Sequence, residues 1–259
     1  MITVKLLGGM GNQLFQLAFS MALELRGYKT QLNRDSLVEG THREYSLEHF
    51  GYFPMGAPQG PNISEKSLRF NEAYLNPPDP CTMYGYWQSE KYFKDIEGKV
   101  RHILDSQGPR FSSHYSSSAV LQAWEKIYNS DSIALHVRRQ DYLTLQHFHG
   151  MPSLDYYRRG VEDIRSRRYN TSVFVFSDDQ QWCRENFSKD YYIVTGTDKY
   201  EDLRLMSSCN HAVIANSSFS WWGAWLQQKL GGIIIAPERW FVDPAVDDAD
   251  IVPDRWTKI

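Results

Sequence analysis

The chain has 259 residues, a formal net charge of -3 and a pI near 6.2. That length fills one large domain or two of ordinary size, and the slight acidic surplus excludes a nucleic acid as the main partner, since a polyanion needs a basic footprint. The three cysteines, Cys81, Cys183 and Cys209, show neither metal-ligand spacing nor a disulfide framework, and no stretch approaches the roughly 18 to 20 apolar residues of a membrane span, so a cytoplasmic location is expected.

Ile2 to Leu7 reads as a buried strand that runs into Gly8-Gly9-Met10-Gly11-Asn12-Gln13 and then into a helix. Leu14, Leu17, Ala18, Met21 and Leu25 fall on one face of that helix, and Gly27 stops it. The glycine turn is only a partial dinucleotide fingerprint, because Leu14 stands where a third glycine belongs. It reads either as a place where a ligand approaches backbone N–H groups at a helix start or as a tight turn with capping amides.

From Asn33 to Pro80 periodicity fades and Gly, Pro and Asn accumulate, which predicts long connections with short helical pieces. Thr82 to Trp87 is the next predicted strand. A helix with Phe93, Ile96, Val100 and Leu104 inward follows, and another spans about Ser116 to Tyr128. Asn129-Ser130-Asp131 is the predicted domain boundary, dividing the chain into residues 1–129 and 130–259.

Ser132 to Asp141, SIALHVRRQD, begins as a buried strand and ends in His136, Arg138, Arg139 and Asp141. Beyond it, strands at 172–176, 191–195, 211–215 and 232–236 alternate with helices at 152–168, 180–187, 199–208 and 219–230. This alternation implies a parallel sheet with right-handed crossovers. Ligands bind beyond the carboxyl ends of such strands. Three polar clusters project there: His136 to Asp141, Ser177 to Asp179, and Asn216-Ser217-Ser218-Phe219-Ser220. Two guanidinium groups suit a phosphate or pyrophosphate, and the serine-rich turn opens a helix whose dipole favours an anion, although Ser218 also fits a plain N-cap. Asp178 and Asp179 read either as metal ligands or as a carboxylate reading guanine, with a metal unnecessary where arginines already supply positive charge. The aromatic share of 14% hints at rings on which a sugar stacks, although such rings are ordinary core residues too.

The segments GGMGNQLFQ (8–16), GYWQSEKYF (85–93), HVRRQDYL (136–143), FSDD (176–179) and ANSSFSWWGAWL (215–226) together resemble glycosyltransferase family 11, the α-1,2-fucosyltransferases. The resemblance implies an α/β GT-B architecture of two Rossmann-like domains facing across a cleft, an acceptor-side domain (1–129) and a GDP-fucose-binding domain (130–259). It implies inverting transfer of fucose from GDP-fucose to the 2-hydroxyl of a terminal galactose-type sugar, with no cofactor and no metal. The family's animal members carry a membrane anchor. This chain shows no such segment and looks like a bacterial enzyme of surface polysaccharide (O-antigen) synthesis, in peripheral contact with the inner membrane at most.

By the same resemblance, Arg138 takes the donor β-phosphate, His136 and Arg139 support the nucleotide, and Asp178 and Asp179 stand on the donor side with Asp179 reading guanine. Asn216, Ser217, Ser218 and Phe219 hold the pyrophosphate. Gly11, Asn12, Gln13, Gln16, Trp87 and Gln88 face the acceptor and fucose. Asp141 is either the base that deprotonates the acceptor or a carboxylate that orients Arg138 or His136. The competing readings are a fucosyltransferase of other linkage, a phosphoryl or sulfuryl transferase, which lacks the phosphate-loop lysine, and a non-catalytic carbohydrate- or nucleotide-sugar-binding protein.

Overall fold

The computed structural model describes residues 1–41, 43–53, 56–106, 117–139, 150–227 and 231–259, and for residues 105 and 106 the backbone only. The chain forms two compact units, Met1–Gly108 with Ala245–Pro253, and Pro109–Pro244 with Asp254–Ile259. The break therefore falls some twenty residues before the turn at Asn129. The helix that precedes this turn belongs to the second unit, where it packs against that unit's central strand.

In the first unit, β1 (Ile2–Lys5), β2 (Thr30–Asn33), β3 (Asn62–Ser64) and β4 (Cys81–Tyr84) form a parallel sheet in the order β2-β1-β4-β3. Helix α1 (Met10–Leu25) connects β1 to β2. It is buried nearly all round rather than along one stripe: Phe15, Phe19, Gln13, Gln16 and Ser20 are enclosed as fully as Leu14 and Leu17. Leu25, expected inward, is exposed on the last turn. Phe15 packs on Phe93 and Phe19 stacks on Trp87 (ring centroids 6.2 and 4.3 Å apart), so the helix is clamped between the sheet and the aromatic turns that precede α2 (Glu97–Ser106). The late segment 245–253 is tied into this unit by Asp250, which accepts from the Phe70 N–H (2.9 Å) and from the Lys91 ammonium (2.5 Å).

The second unit is a six-stranded parallel sheet in the order β10-β9-β8-β5-β6-β7. Its strands are β5 (Asp131–Val137), β6 (Thr171–Ser177), β7 (Tyr192–Ile193), β8 (His211–Val213), β9 (Ile234–Ala236) and β10 (Thr257–Lys258). Its helices are α3 (Ser118–Tyr128), α4 (Leu154–Arg167), α5 (Gln180–Asn186), α6 (Lys199–Ser208) and α7 (Ser218–Trp225). Side chains alternate across β5: Ile133, Leu135 and Val137 join Tyr157, Val161 and Ile164 of α4 in the core, which points His136 to the opposite face. At the amino ends of the strands His211 donates from Nε2 to Asp131 (3.1 Å) and accepts the Ile233 N–H at Nδ1 (2.9 Å), pinning β5, β8 and β9 together.

Both units are thus parallel α/β sheets, as expected. The three cysteines are free and buried. Among the described residues no helix is long and apolar enough to cross a membrane.

Candidate active site

Register builds the site in the second unit. β5 pairs with β6 so that Val137 lies opposite Ser177, and the next two positions bring Arg138 level with Asp178 and Arg139 level with Asp179. Each arginine meets its aspartate: Arg138 Nε lies 3.3 Å from Asp178 Oδ2, and Arg139 Nε donates to Asp179 Oδ2 at 3.1 Å. The Arg139 backbone N–H also donates to Asp178 Oδ1 (2.9 Å), so one carboxylate spans both arginines.

The two pairs differ in what lies behind them. Asp179 is the N-cap of α5, accepting the Trp182 N–H at 3.1 Å, and the guanidinium of Arg139 lies 4.1 Å over the Trp182 ring. Arg139 and Asp179 are therefore built into the start of a helix, with cation–π contact added to the ion pair. Asp178 faces Arg138 with Oδ2 and the Arg139 N–H with Oδ1. Sequence reasoning missed Trp182, although its spacing of three from Asp179 is that of a capped helix start.

His136 is buried, its Nδ1 has no hydrogen-bond partner among the described residues, and its ring lies 5.6 Å from that of Phe219. Burial first, and the Arg138 charge second, push its pKa down to about 3, so the imidazole is neutral. Asn216 is spent on structure, donating to the Gly150 and Trp240 carbonyls (3.2 and 2.9 Å). Ser217, not Ser218, is the N-cap of α7, and it makes no side-chain capping bond. Ser218 and Phe219 occupy the first turn, half-buried. Asp141 lies outside the described residues. Among the described residues no three His, Cys, Asp or Glu side chains come together as a metal would require.

In the first unit the six expected residues separate into two kinds. Gln13 donates to the Gly8 and Glu44 carbonyls and accepts the Ser46 N–H; Gln16 accepts the Leu7 N–H and donates to the Gly85 carbonyl. Both are fully enclosed, as is Trp87, and the bonds of the two glutamines satisfy buried backbone groups. Gly11 is also buried. Asn12 is half-buried and Gln88 buried, and the two are joined by a 2.7 Å bond from Gln88 Nε2 to Asn12 Oδ1. Gly8, at φ 72°, is the glycine this arrangement requires: a Cβ there would lie 2.3 Å from Asn12 Nδ2. Glu65, in the aperiodic stretch and unmarked by any local pattern, accepts the N–H groups of Tyr86 and Trp87.

An anion site of arginines and a helix start, at the carboxyl edge of a parallel sheet, is the equipment of a nucleotide-dependent transferase. The chain belongs to glycosyl transferase family 11, whose model matches residues 71–259. It is 32% identical to an alpha-1,2-colitosyltransferase of Escherichia coli, over all of this chain and 98% of the relative. The O-antigen biosynthesis glycosyltransferase WbnK of Escherichia coli is 35% identical over 51% of this chain and 45% of its own length. The galactoside alpha-(1,2)-fucosyltransferase 1 of Ateles belzebuth is 27% identical over 85% of this chain and 63% of its own.

Proposed function

We propose that this enzyme transfers fucose, or its 3-deoxy counterpart colitose, from the GDP-activated sugar to the 2-hydroxyl of a terminal galactose-type sugar in bacterial O-antigen synthesis. The transfer inverts the anomeric centre and uses no divalent ion. The observation that carries the reading is Arg138, delivered by the central strand to the sheet's carboxyl edge and held through Nε by Asp178 at 3.3 Å. Similarity to a colitosyltransferase along the whole chain supports colitose as the second donor.

As the bond between the anomeric carbon and the β-phosphate oxygen breaks, negative charge accumulates on GDP. A guanidinium already fixed in place stabilises that charge without reorganising, the task a metal performs in other sites. The first N–H groups of α7, at Ser218 and Phe219, add the positive end of a helix dipole. Neutral His136 lines the site without adding charge. Asp179, whose two oxygens hold Arg139 and the Trp182 N–H, keeps lone pairs for the N1–H and amino group of guanine. The acceptor hydroxyl attacks from the opposite face, and Asp141 takes its proton.

The test is GDP release and product formation from GDP-fucose and GDP-colitose, with a panel of β-galactosides, in EDTA. An α-1,2-linked product formed at full rate is expected. Activity lost in EDTA and restored by magnesium or manganese would reassign Asp178 and Asp179 as metal ligands, and no GDP release from either donor overturns the reading.

A further inference from the structure

The carboxyl edge of the first unit's sheet carries a cluster that the donor chemistry leaves unused. Beyond β4 the chain makes a tight turn, Gly85-Tyr86-Trp87-Gln88, in which Trp87 sits at φ 55°. A bulky side chain rarely adopts that left-handed region, and it persists only where its surroundings fix it.

Four backbone groups of the turn are held by hydrogen bonds. One oxygen of the Glu65 carboxylate accepts the Tyr86 N–H at 2.7 Å, and both oxygens receive the Trp87 N–H at 3.2 and 3.3 Å. Gln16 donates to the Gly85 carbonyl (2.9 Å), and the Ser89 N–H donates to the Trp87 carbonyl (2.8 Å). The Trp87 ring is buried in a stack with Phe19 at 4.3 Å and 11°. A Cβ on residue 85 would lie 2.5 Å from Glu65 Cβ, so the carboxylate's approach itself requires glycine.

The turn that these contacts hold leaves Tyr86 on the outside, between buried Gly85 and buried Trp87 and Gln88. Tyr86 is 37% exposed although its backbone is locked, and its phenol lies within the field of exposed Arg43. Tyr84, 43% exposed, stands beside it with the Lys5 ammonium 5.6 Å from its ring. Gln88 reaches Asn12 across the mouth of the glycine turn. A pyranose presents an apolar face of C–H groups and a rim of hydroxyls. An exposed tyrosine ring in the field of a guanidinium matches both, and a sheet's carboxyl edge is where such ligands bind.

We propose that Tyr86 is the platform on which the acceptor sugar stacks, that Arg43 hydrogen-bonds its hydroxyls, and that Glu65 is a positioning residue that fixes the platform. The proposal rests on the transferase reading above. Its test uses the full chain and the β-galactoside that the wild type accepts best, with three readouts: acceptor KM, kcat, and GDP affinity by calorimetry.

Tyr86→Ala should raise acceptor KM by about 10-fold, the equivalent of about 1.4 kcal/mol of lost binding, with GDP affinity and acceptor-free donor hydrolysis unchanged. Tyr86→Phe should keep the wild-type KM within about 2-fold, because stacking needs only the ring. Glu65→Gln replaces one accepting oxygen by a donor that faces the Trp87 N–H in either orientation of the amide, and should raise acceptor KM while GDP affinity holds. Arg43→Ala, at an exposed position, should raise acceptor KM by a few-fold and keeps the test open if Tyr86→Ala fails to fold. A wild-type acceptor KM in both Tyr86→Ala and Arg43→Ala overturns the platform while leaving the transferase intact. A wild type that consumes neither GDP-sugar overturns the function and the platform with it.

Discussion

Acidification sets two buried groups of the second unit against each other. His136 has its pKa pushed down from 6.5 to about 3 by burial and by Arg138. Its folded pKa lies below the unfolded one, so the unfolded chain binds the extra proton. The stability this residue allows is complete above pH 7 and is lost as pH falls through 6.5 toward 3. Between pH 7 and pH 5 that loss is about 2 kcal/mol. Asp202 behaves in the opposite sense. Burial raises its pKa from 3.8 to about 6 with Asp198 and Glu201 adding to the rise, against the Thr197 hydroxyl that donates to it at 2.6 Å. The folded state takes this proton first, so acidification over the same interval returns about 1 kcal/mol. The two groups largely cancel and together predict a net loss of only about half a kcal/mol from pH 7 to pH 5. Urea unfolding at the two pH values, followed by the fluorescence of the α7 tryptophans, should show Asp202→Asn losing about 2 kcal/mol and His136→Leu gaining about 1. An imidazole C2–H resonance of His136 that titrates near 6.5 in the folded protein, or a His136→Leu pH dependence equal to the wild type, would refute the reasoning.

The donor side gives two further expectations. Arg138→Lys keeps the charge but loses the planar fork, and turnover should fall by about 10² with a smaller change in GDP affinity; Arg139→Lys, whose guanidinium is committed to Asp179 and the Trp182 ring, should lower thermal stability more than turnover, and the reverse pattern in kcat and melting temperature would exchange the two roles. Asp179→Ala should weaken GDP binding measured by calorimetry and relax discrimination against other nucleotides, by roughly 1.5 to 3 kcal/mol per charged hydrogen bond; unchanged GDP affinity would remove Asp179 from base reading.

Long periodic segments were legible: α1, α4, α6 and the strands β5 and β6 stand within a few residues of where the pattern puts them. The short polar strands β2 (TQLN) and β3 (NIS) were not, because nothing local marks them. They are strands only through register with β1 and β4, and pairing across twenty or more residues leaves no periodic trace in so few side chains. The domain boundary misled for a related reason. Asn129-Ser130-Asp131 is a true turn, yet it joins a helix and a strand of one unit, and the return of 245–253 to the first unit runs through the carboxylates of Asp247 and Asp250, which meet Arg69, Lys91 and the Phe70 N–H.

The site shows the same limit one level further on. A glutamine beside a glycine turn reads identically whether its amide faces a ligand or satisfies buried backbone, and Gln13 and Gln16 do the second. The pairing of Arg138 with Asp178 needed the strand order before any spacing could reveal it. Aromatic content was ambiguous in kind as well as in place. Trp221, Trp222 and Trp225 pack on one another in the core, with Trp256 against Trp221, and Trp87 is sealed behind Phe19. The conspicuous tryptophans therefore build the scaffold. What a sugar can reach is the tyrosine beside Trp87, and it is presentable because the tryptophan is not: the buried ring and the Glu65 carboxylate hold a left-handed turn that a free loop would abandon, and Tyr86 stands on its outer side.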